Sequence, residues 1–128
     1  VKKTTILVCG GRDYYKYSSL KIFLEDLLND IWLDDEDTEI TLIQGGAPGA
    51  DLLTKVFALD EYGDCSYIKH KEFPADWKRY GKAAGSIRNK QMLDEGKPDL
   101  VVAFPGGRGT ADMIRQAKAA DVKVLEVK

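Results

Sequence analysis

The sequence predicts an α/β domain built on a parallel sheet. Two patterns carry that prediction. Short apolar runs alternate with segments whose apolar residues recur three and four positions apart. Three of the apolar runs end in glycine-rich loops: CGGRDY at 9–14, QGGAPGAD at 44–51 and FPGGRGTAD at 104–112. Strands separated by helices pair in parallel through right-handed crossovers. The expected architecture is a Rossmann-like three-layer sandwich of about five strands in the order 3-2-1-4-5.

The elements follow in chain order. Thr4–Cys9 is a short apolar run stopped by Gly10 and Gly11, hence a first strand and not a leader segment. Leu20, Phe23, Leu24, Leu27, Leu28 and Ile31 form one buried stripe of a first helix, ended by the acidic turn 34–37. Ile40–Gln44 reads as the second strand. A second helix follows with Leu52, Leu53, Val56 and Phe57 on one side and Gly63 as its stop. Ser66–His70 is shorter and less apolar, which suits a strand near the sheet edge. A turn containing Trp77 and Tyr80 leads into a third helix over 83–95, stopped by Gly96 and Pro98. Leu100–Phe104, the most continuously apolar run, is placed inside the sheet. Thr110–Ala120 is the last helix and Val122–Val127 the last strand.

With 128 residues, 44% of them apolar, the chain suits one domain over 1–128. No apolar run reaches the roughly 20 residues of a membrane-spanning helix, so no membrane partner is expected. Cys9 and Cys65 fall in different elements without metal-ligand spacing, and His70 is the sole histidine. A reduced, cytoplasmic protein without a bound metal or cofactor is therefore expected. The net charge of −2, from 19 basic and 21 acidic residues, makes nucleic acid an unlikely general partner. The charge is unevenly spread: residues 22–39 carry eight carboxylates and no cation, whereas 69–90 carry seven cations against Glu72 and Asp76. That basic stretch lies between glycine loops, which suits an anionic ligand.

In an open parallel sheet the three glycine loops share one edge, where ligands bind at the switch in chain direction. Gly10, Gly11, Gly45, Gly46, Gly49, Gly106, Gly107 and Gly109 let backbone approach a ligand closely. A helix opening at Gly109 and Thr110 offers free N–H groups and partial positive charge to a phosphate. Thr110 serves either as helix cap or as phosphate ligand. Arg12 has the fork geometry that clamps phosphate, and a salt bridge to Asp13 is its alternative. Asp13 either accepts from a ribose hydroxyl or caps a turn. Asp51 either complements the dipole of the second helix or faces ligand. Arg108 sits inside its loop as a phosphate contact or a solvated side chain. Trp77 offers a stacking face or covers the core edge. Arg88 and Asn89, on the third helix, are placed within reach of the glycine edge. Gly107 to Asp112 begins like G-x-G-x-x-G but ends in Asp112, and no G-K-[S/T] is present.

GGRDY, GGAPGAD, PADWKRYGKAAGSIRN and AFPGGRGTAD, in that order, resemble the YspA-type, cpYpsA-related branch of the SLOG superfamily. Members of this branch occur in bacteria and their phages. The resemblance implies a Rossmann-like fold and a nucleotide or nucleotide-derived ligand held by the residues above and by Pro105. The wider superfamily includes the LOG phosphoribohydrolases, whose P-G-G-x-G-T-x-x-E motif supplies a catalytic Glu that works with an Arg from an earlier helix. Here residues 105–110 fit that pattern, Arg88 fits the Arg, and Met113 stands at the Glu position. Methionine neither stabilises an oxocarbenium-like centre nor activates water. The expectation is a small-molecule-binding domain, a sensor or sequestering protein, without LOG chemistry. The alternatives are a nucleotide-processing hydrolase using Asp13, Asp51 or Asp112, and a single-strand nucleic-acid binder. A homodimer is also open, because Ile31, Trp32 and Leu33 form an apolar cluster that suits an interface or the core.

Overall fold

Alternation along the first strand sets up the layers. In the computed structural model, which describes residues 1–128, β1 (Lys3–Cys9) sends Ile6 and Val8 to one face and Leu7 and Cys9 to the other. Ile6 and Val8 join a cluster of 13 buried residues that includes Leu20, Leu24 and Leu28 of α1 (Tyr17–Asp34) and Phe57 of α2 (Ala50–Tyr62). Each fully buried leucine contributes about 1.5–3 kcal/mol. Leu7 and Cys9 join a second cluster with Met92 of α4 (Ala84–Gly96) and Met113 and Ala117 of α5 (Arg108–Ala119). The chain is thus a three-layer α/β sandwich with two cores.

The remaining strands are β2 (Glu39–Gln44), β3 (Ile68–Glu72), β4 (Leu100–Ala103) and β5 (Lys123–Glu126). All pair in parallel in the order β3-β2-β1-β4-β5, as the alternation predicts. β1 is central. The chain leaves it toward β2 on one side and returns through β4 on the other, so the crevice between the β1 and β4 ends is the switch point.

Local differences from the sequence reading have physical causes. The buried side of α2 is Ala50, Thr54, Phe57 and Ala58, while Leu52 is exposed. The start of α2 is wedged against the β1 loop: a Cβ at Gly10 would lie 2.6 Å from the Ala50 Cβ. Only small residues fit there, and the Thr54 hydroxyl is satisfied by the Ala50 carbonyl at 2.8 Å. β3 starts two residues later than its apolar pattern suggests. Only Ile68 of β3 is buried, and backbone pairing with β2 carries the strand on through Lys69–Glu72. The stretch before α4 holds a short helix, α3 (Trp77–Tyr80), capped by Asp76 Oδ1 accepting from Arg79 N–H at 3.1 Å. α4 runs through Gly96 and is closed by Lys97 in the left-handed conformation, φ 46°. α5 begins at Arg108, two residues before the expected start, because Gly107 takes the cap position. Ile31 and Trp32 pack on the first core, where Trp32 Nε1–H donates to the Thr38 carbonyl at 3.0 Å; Leu33 alone is left exposed. No helix is long and apolar enough to cross a membrane.

Candidate functional site

The β1, β4 and α5 junction encloses a cleft of two adjoining lobes. The first, about 660 Å³, has the loop Gly10–Lys16 on one wall and Pro105–Thr110 on the other. Cys9, Asp51 and Met92 line its inner end. The two walls are tied together by Gly11 N–H donating to the Pro105 carbonyl at 2.9 Å. Gly106 makes that approach possible: a Cβ there would lie 2.6 Å from Gly11 N and collide with the Thr110 hydroxyl.

The opening turn of α5 faces this lobe. Its cap residue is Gly107, with no side-chain cap bond, and the first intrahelical bond runs from Ala111 N–H to Gly107 O at 3.0 Å. The N–H groups of Arg108, Gly109 and Thr110 therefore have no partner four residues back, and their dipoles add partial positive charge. Four cationic side chains, Arg12, Lys16, Arg88 and Arg108, surround the same space. The arrangement suits an anion with several acceptor oxygens.

Arg12 does not pair with Asp13. Its guanidinium stacks on Trp77, 5.2 Å from the ring centroid. Asp13 lines the first lobe near Gly11. Trp77 lines only the second lobe, about 840 Å³, which continues the cleft over α4 and α5. Arg12, Arg88, Asn89, Arg108 and Gly109 border both lobes.

The second glycine loop is placed differently from the other two. Gly45, Gly46 and Gly49 line neither lobe and instead support the cleft from behind. The Gly45 carbonyl accepts from Arg88 Nη1. Gly46 N–H donates to Gln44 Oε1 at 2.5 Å. Gly49, at φ 79°, sits against the first loop: a Cβ there would run into the Gly11 carbonyl and lie 2.6 Å from the Arg12 carbonyl carbon. Its neighbour Ala50 donates N–H to Gly11 O at 3.1 Å. Ala47 of this loop does reach the first lobe.

Buried Asn89 is committed to the scaffold. Its Nδ2 donates to Gly109 O at 3.2 Å and to Asp112 Oδ2 at 2.9 Å, and its Oδ1 accepts from Arg88 Nε at 3.1 Å. Asp112 also accepts from Gln116, Ser86 and Arg115. Burial opposes its charge, but these hydrogen bonds and Arg115 outweigh it and hold the carboxyl below its ordinary pKa. Met113 points into the second core at 1% exposure.

Two titratable groups at the inner end are shifted strongly. Burial pushes the Asp51 carboxyl up to about 6, although the Ala47 N–H, which it accepts at 3.1 Å, and the Arg88 charge oppose that shift. Burial, reinforced by the Asp51 charge, pushes the Cys9 thiol up to about 12, which keeps it protonated on its strand near neutral pH. His70 meets the buried Gln44 amide at 3.1 Å, and burial lowers its pKa.

Lys16, Ala47, Lys82 and Arg115 also border the cleft without having been singled out from the sequence. Lys82 lies within the basic stretch 69–90, which was a usable signal. Lys16 and Arg115 carry no local pattern and are brought in by the turn after β1 and by the second turn of α5.

A parallel, doubly wound sheet with a cationic, glycine-walled cleft at its switch point defines a Rossmann-like α/β domain. The model of the YspA, cpYpsA-related SLOG family matches residues 4–80, and the chain belongs to that family. It is also similar to the Gene 61 protein of Mycobacterium phage D29, at 34% identity over 88 residues, 67% of this chain and 70% of that protein. The matched residues 4–80 span β1 to α3 and include Arg12, Asp51 and Trp77; Arg88 and the loop 105–110 lie beyond them.

Proposed function

We propose that the chain binds a nucleotide or nucleotide-derived small molecule and acts by sensing or sequestering it. The observation that carries this reading is the convergence of the uncapped α5 start with Arg12, Arg88 and Arg108 on one cleft. Backbone N–H groups and forked guanidinium donors together match the oxygens of a phosphate. Membership of the SLOG family supports a nucleotide-related role. Similarity to a phage protein supports a setting in bacteria–phage conflict, and two free cysteines suit the cytoplasm. LOG-type cleavage of an N-glycosidic bond is not part of the reading, since Met113 occupies the acid's position and faces the core.

The test is a thermal-shift screen against nucleotides, cyclic nucleotides and ADP-ribose derivatives. An Arg12→Ala, Arg88→Ala double variant runs alongside. A ligand at 100 times its Kd adds about 2.7 kcal/mol of stability. Stabilisation of the native chain but not the variant is expected; a panel that shifts neither sinks the reading.

A second reading, a nucleotide-processing hydrolase, draws on Asp51. A carboxyl with a pKa of about 6 at the inner end of the cleft is suited to proton transfer near neutrality. Asp51→Asn discriminates: a hydrolase loses turnover and keeps ligand, whereas a binding protein shows no turnover to lose.

A further inference from the structure

The second lobe is strongly cationic. Arg12, Lys82, Arg88, Arg108 and Arg115 border it, against the single carboxylate of Asp112. Among these cations only Arg115 has an ion-pair partner, and that partner is Asp112 itself. Asp112 cannot neutralise the others. Its two oxygens are taken by Asn89, Ser86, Gln116 and Arg115. Arg88 is turned toward the Gly45 carbonyl, so its charge serves the inner end. That leaves Arg12, Lys82 and Arg108 converging without a counter-charge. Like charges gathered along a concave surface repel one another and focus a field that attracts anions.

The position of this charge matters as much as its sign. Arg12 and Arg108 stand on the border, facing both lobes, and Lys82 stands beyond them. An anion seated on the α5 N–H groups sits in the first lobe and leaves the Lys82 side without a partner. Trp77 fixes the border, because its ring carries the Arg12 guanidinium.

We propose that the second lobe is a subsite for a second phosphate, so that the chain prefers nucleotides with two phosphate groups over nucleoside monophosphates. The proposal rests on the nucleotide reading above. Two chemistries supply such a group: a pyrophosphate-linked chain, or a second phosphate elsewhere on the same ribose. Both place one phosphate on the α5 start and the other between Arg12, Arg108 and Lys82.

Calorimetric titration of the intact chain tests it. The probes are adenosine and guanosine 5′-monophosphates, 5′-diphosphates and 3′,5′-bisphosphates, plus a single-stranded oligonucleotide, all at one salt concentration. The native chain and Lys82→Glu are compared; Lys82 is exposed, so the fold should tolerate the change. About fivefold tighter binding of one two-phosphate class is expected, since contacts to exposed cations are each worth up to about that much. Lys82→Glu should erase most of that gain and leave monophosphate affinity within about twofold. Which class binds tighter assigns the geometry. Equal binding of monophosphates and both two-phosphate classes, or a gain untouched by Lys82→Glu, overturns the subsite and leaves the nucleotide reading standing. No binding by any nucleotide overturns both, as does an oligonucleotide that binds tighter than all of them.

Discussion

Arg88 donates a guanidinium N–H to the carbonyl of Gly45, 43 positions earlier in the chain. This bond joins α4, on one face of the sheet, to the end of β2. It leaves Arg88 Nε to donate to Asn89 and sets the guanidinium charge against Asp51. A cation is thus held inside the cleft by backbone, not by a carboxylate at contact distance.

Arg88→Ala should therefore cost both stability and ligand. Removal of one charged donor from a half-buried carbonyl destabilises by about 1–3 kcal/mol. Arg88→Lys keeps the charge but cannot serve Gly45 and Asn89 together, because an ammonium lacks the planar fork. Thermal melts should rank native above Lys above Ala, and ligand affinity should follow the same order. A Lys variant equal to native in both would show that charge alone matters.

Asp51 should make stability depend on pH. Its folded pKa, about 6, lies above the ordinary carboxylate value of about 3.9. The folded chain therefore holds this proton more tightly than the unfolded chain does. That contribution is complete below about pH 4 and is lost as pH rises through 6, above which an ionised Asp51 burdens the fold. Asp51→Asn keeps an acceptor for the Ala47 N–H and removes the charge. It should raise stability by on the order of 2 kcal/mol at pH 8, the attraction of Arg88 being already contained in the pKa of about 6. The gain should shrink below pH 6 and vanish by pH 4. Melts of both proteins across pH 4–8 check this, and a gain that does not vary with pH would remove Asp51 as its source.

Gly49 should be intolerant of any side chain. Its φ of 79° favours glycine, and a Cβ would strike the Gly11 carbonyl. Neither partner can yield, since both are backbone and the Ala50 N–H binds the same carbonyl. Gly49→Ala should cost at least about 2 kcal/mol and should weaken ligand binding by shifting the Arg12 loop. Gly107, with open space around its would-be Cβ, is the control: Gly107→Ala should cost about 1 kcal/mol or less. Equal losses at the two positions would contradict this geometry.

Much of this arrangement was legible in the residues. Strand order followed from alternation, because parallel pairing leaves few topologies, and the two clusters follow the odd–even split of Ile6, Leu7, Val8 and Cys9. The loops at Gly10–Arg12 and Pro105–Thr110 could be placed on one edge for the same reason. The supporting role of Gly45, Gly46 and Gly49 could not be read. A glycine that receives a ligand and one that receives another loop look alike in sequence. The buried face of α2 includes Phe57 and brings Leu53 onto the core, as the pattern predicts, but leaves Leu52 exposed; the burial of small Ala50 and Thr54 is dictated by the approach of the β1 loop, which no periodicity shows. Asn89 reaches the glycine edge as its position on α4 predicts, but its commitment to Gly109 and Asp112 depends on how α4 meets α5.

Met113 provides a last test, of chemistry against packing. It stands where the LOG pattern has Glu, yet its side chain is buried with Leu7, Ile43, Phe73 and Met92. Met113→Glu would place a carboxyl in that core without a dedicated donor. The cost should be about 2–4 kcal/mol at neutral pH. Burial should also raise the introduced carboxyl's pKa, so the deficit should be smaller at pH 5, where more of it is protonated. Release of base from nucleoside monophosphates should stay at background, because the new group faces the core and not the ligand. A Met113→Glu protein as stable as the native chain and active on a nucleoside monophosphate would show that this position opens to the cleft, and that a single substitution separates this chain from a hydrolase.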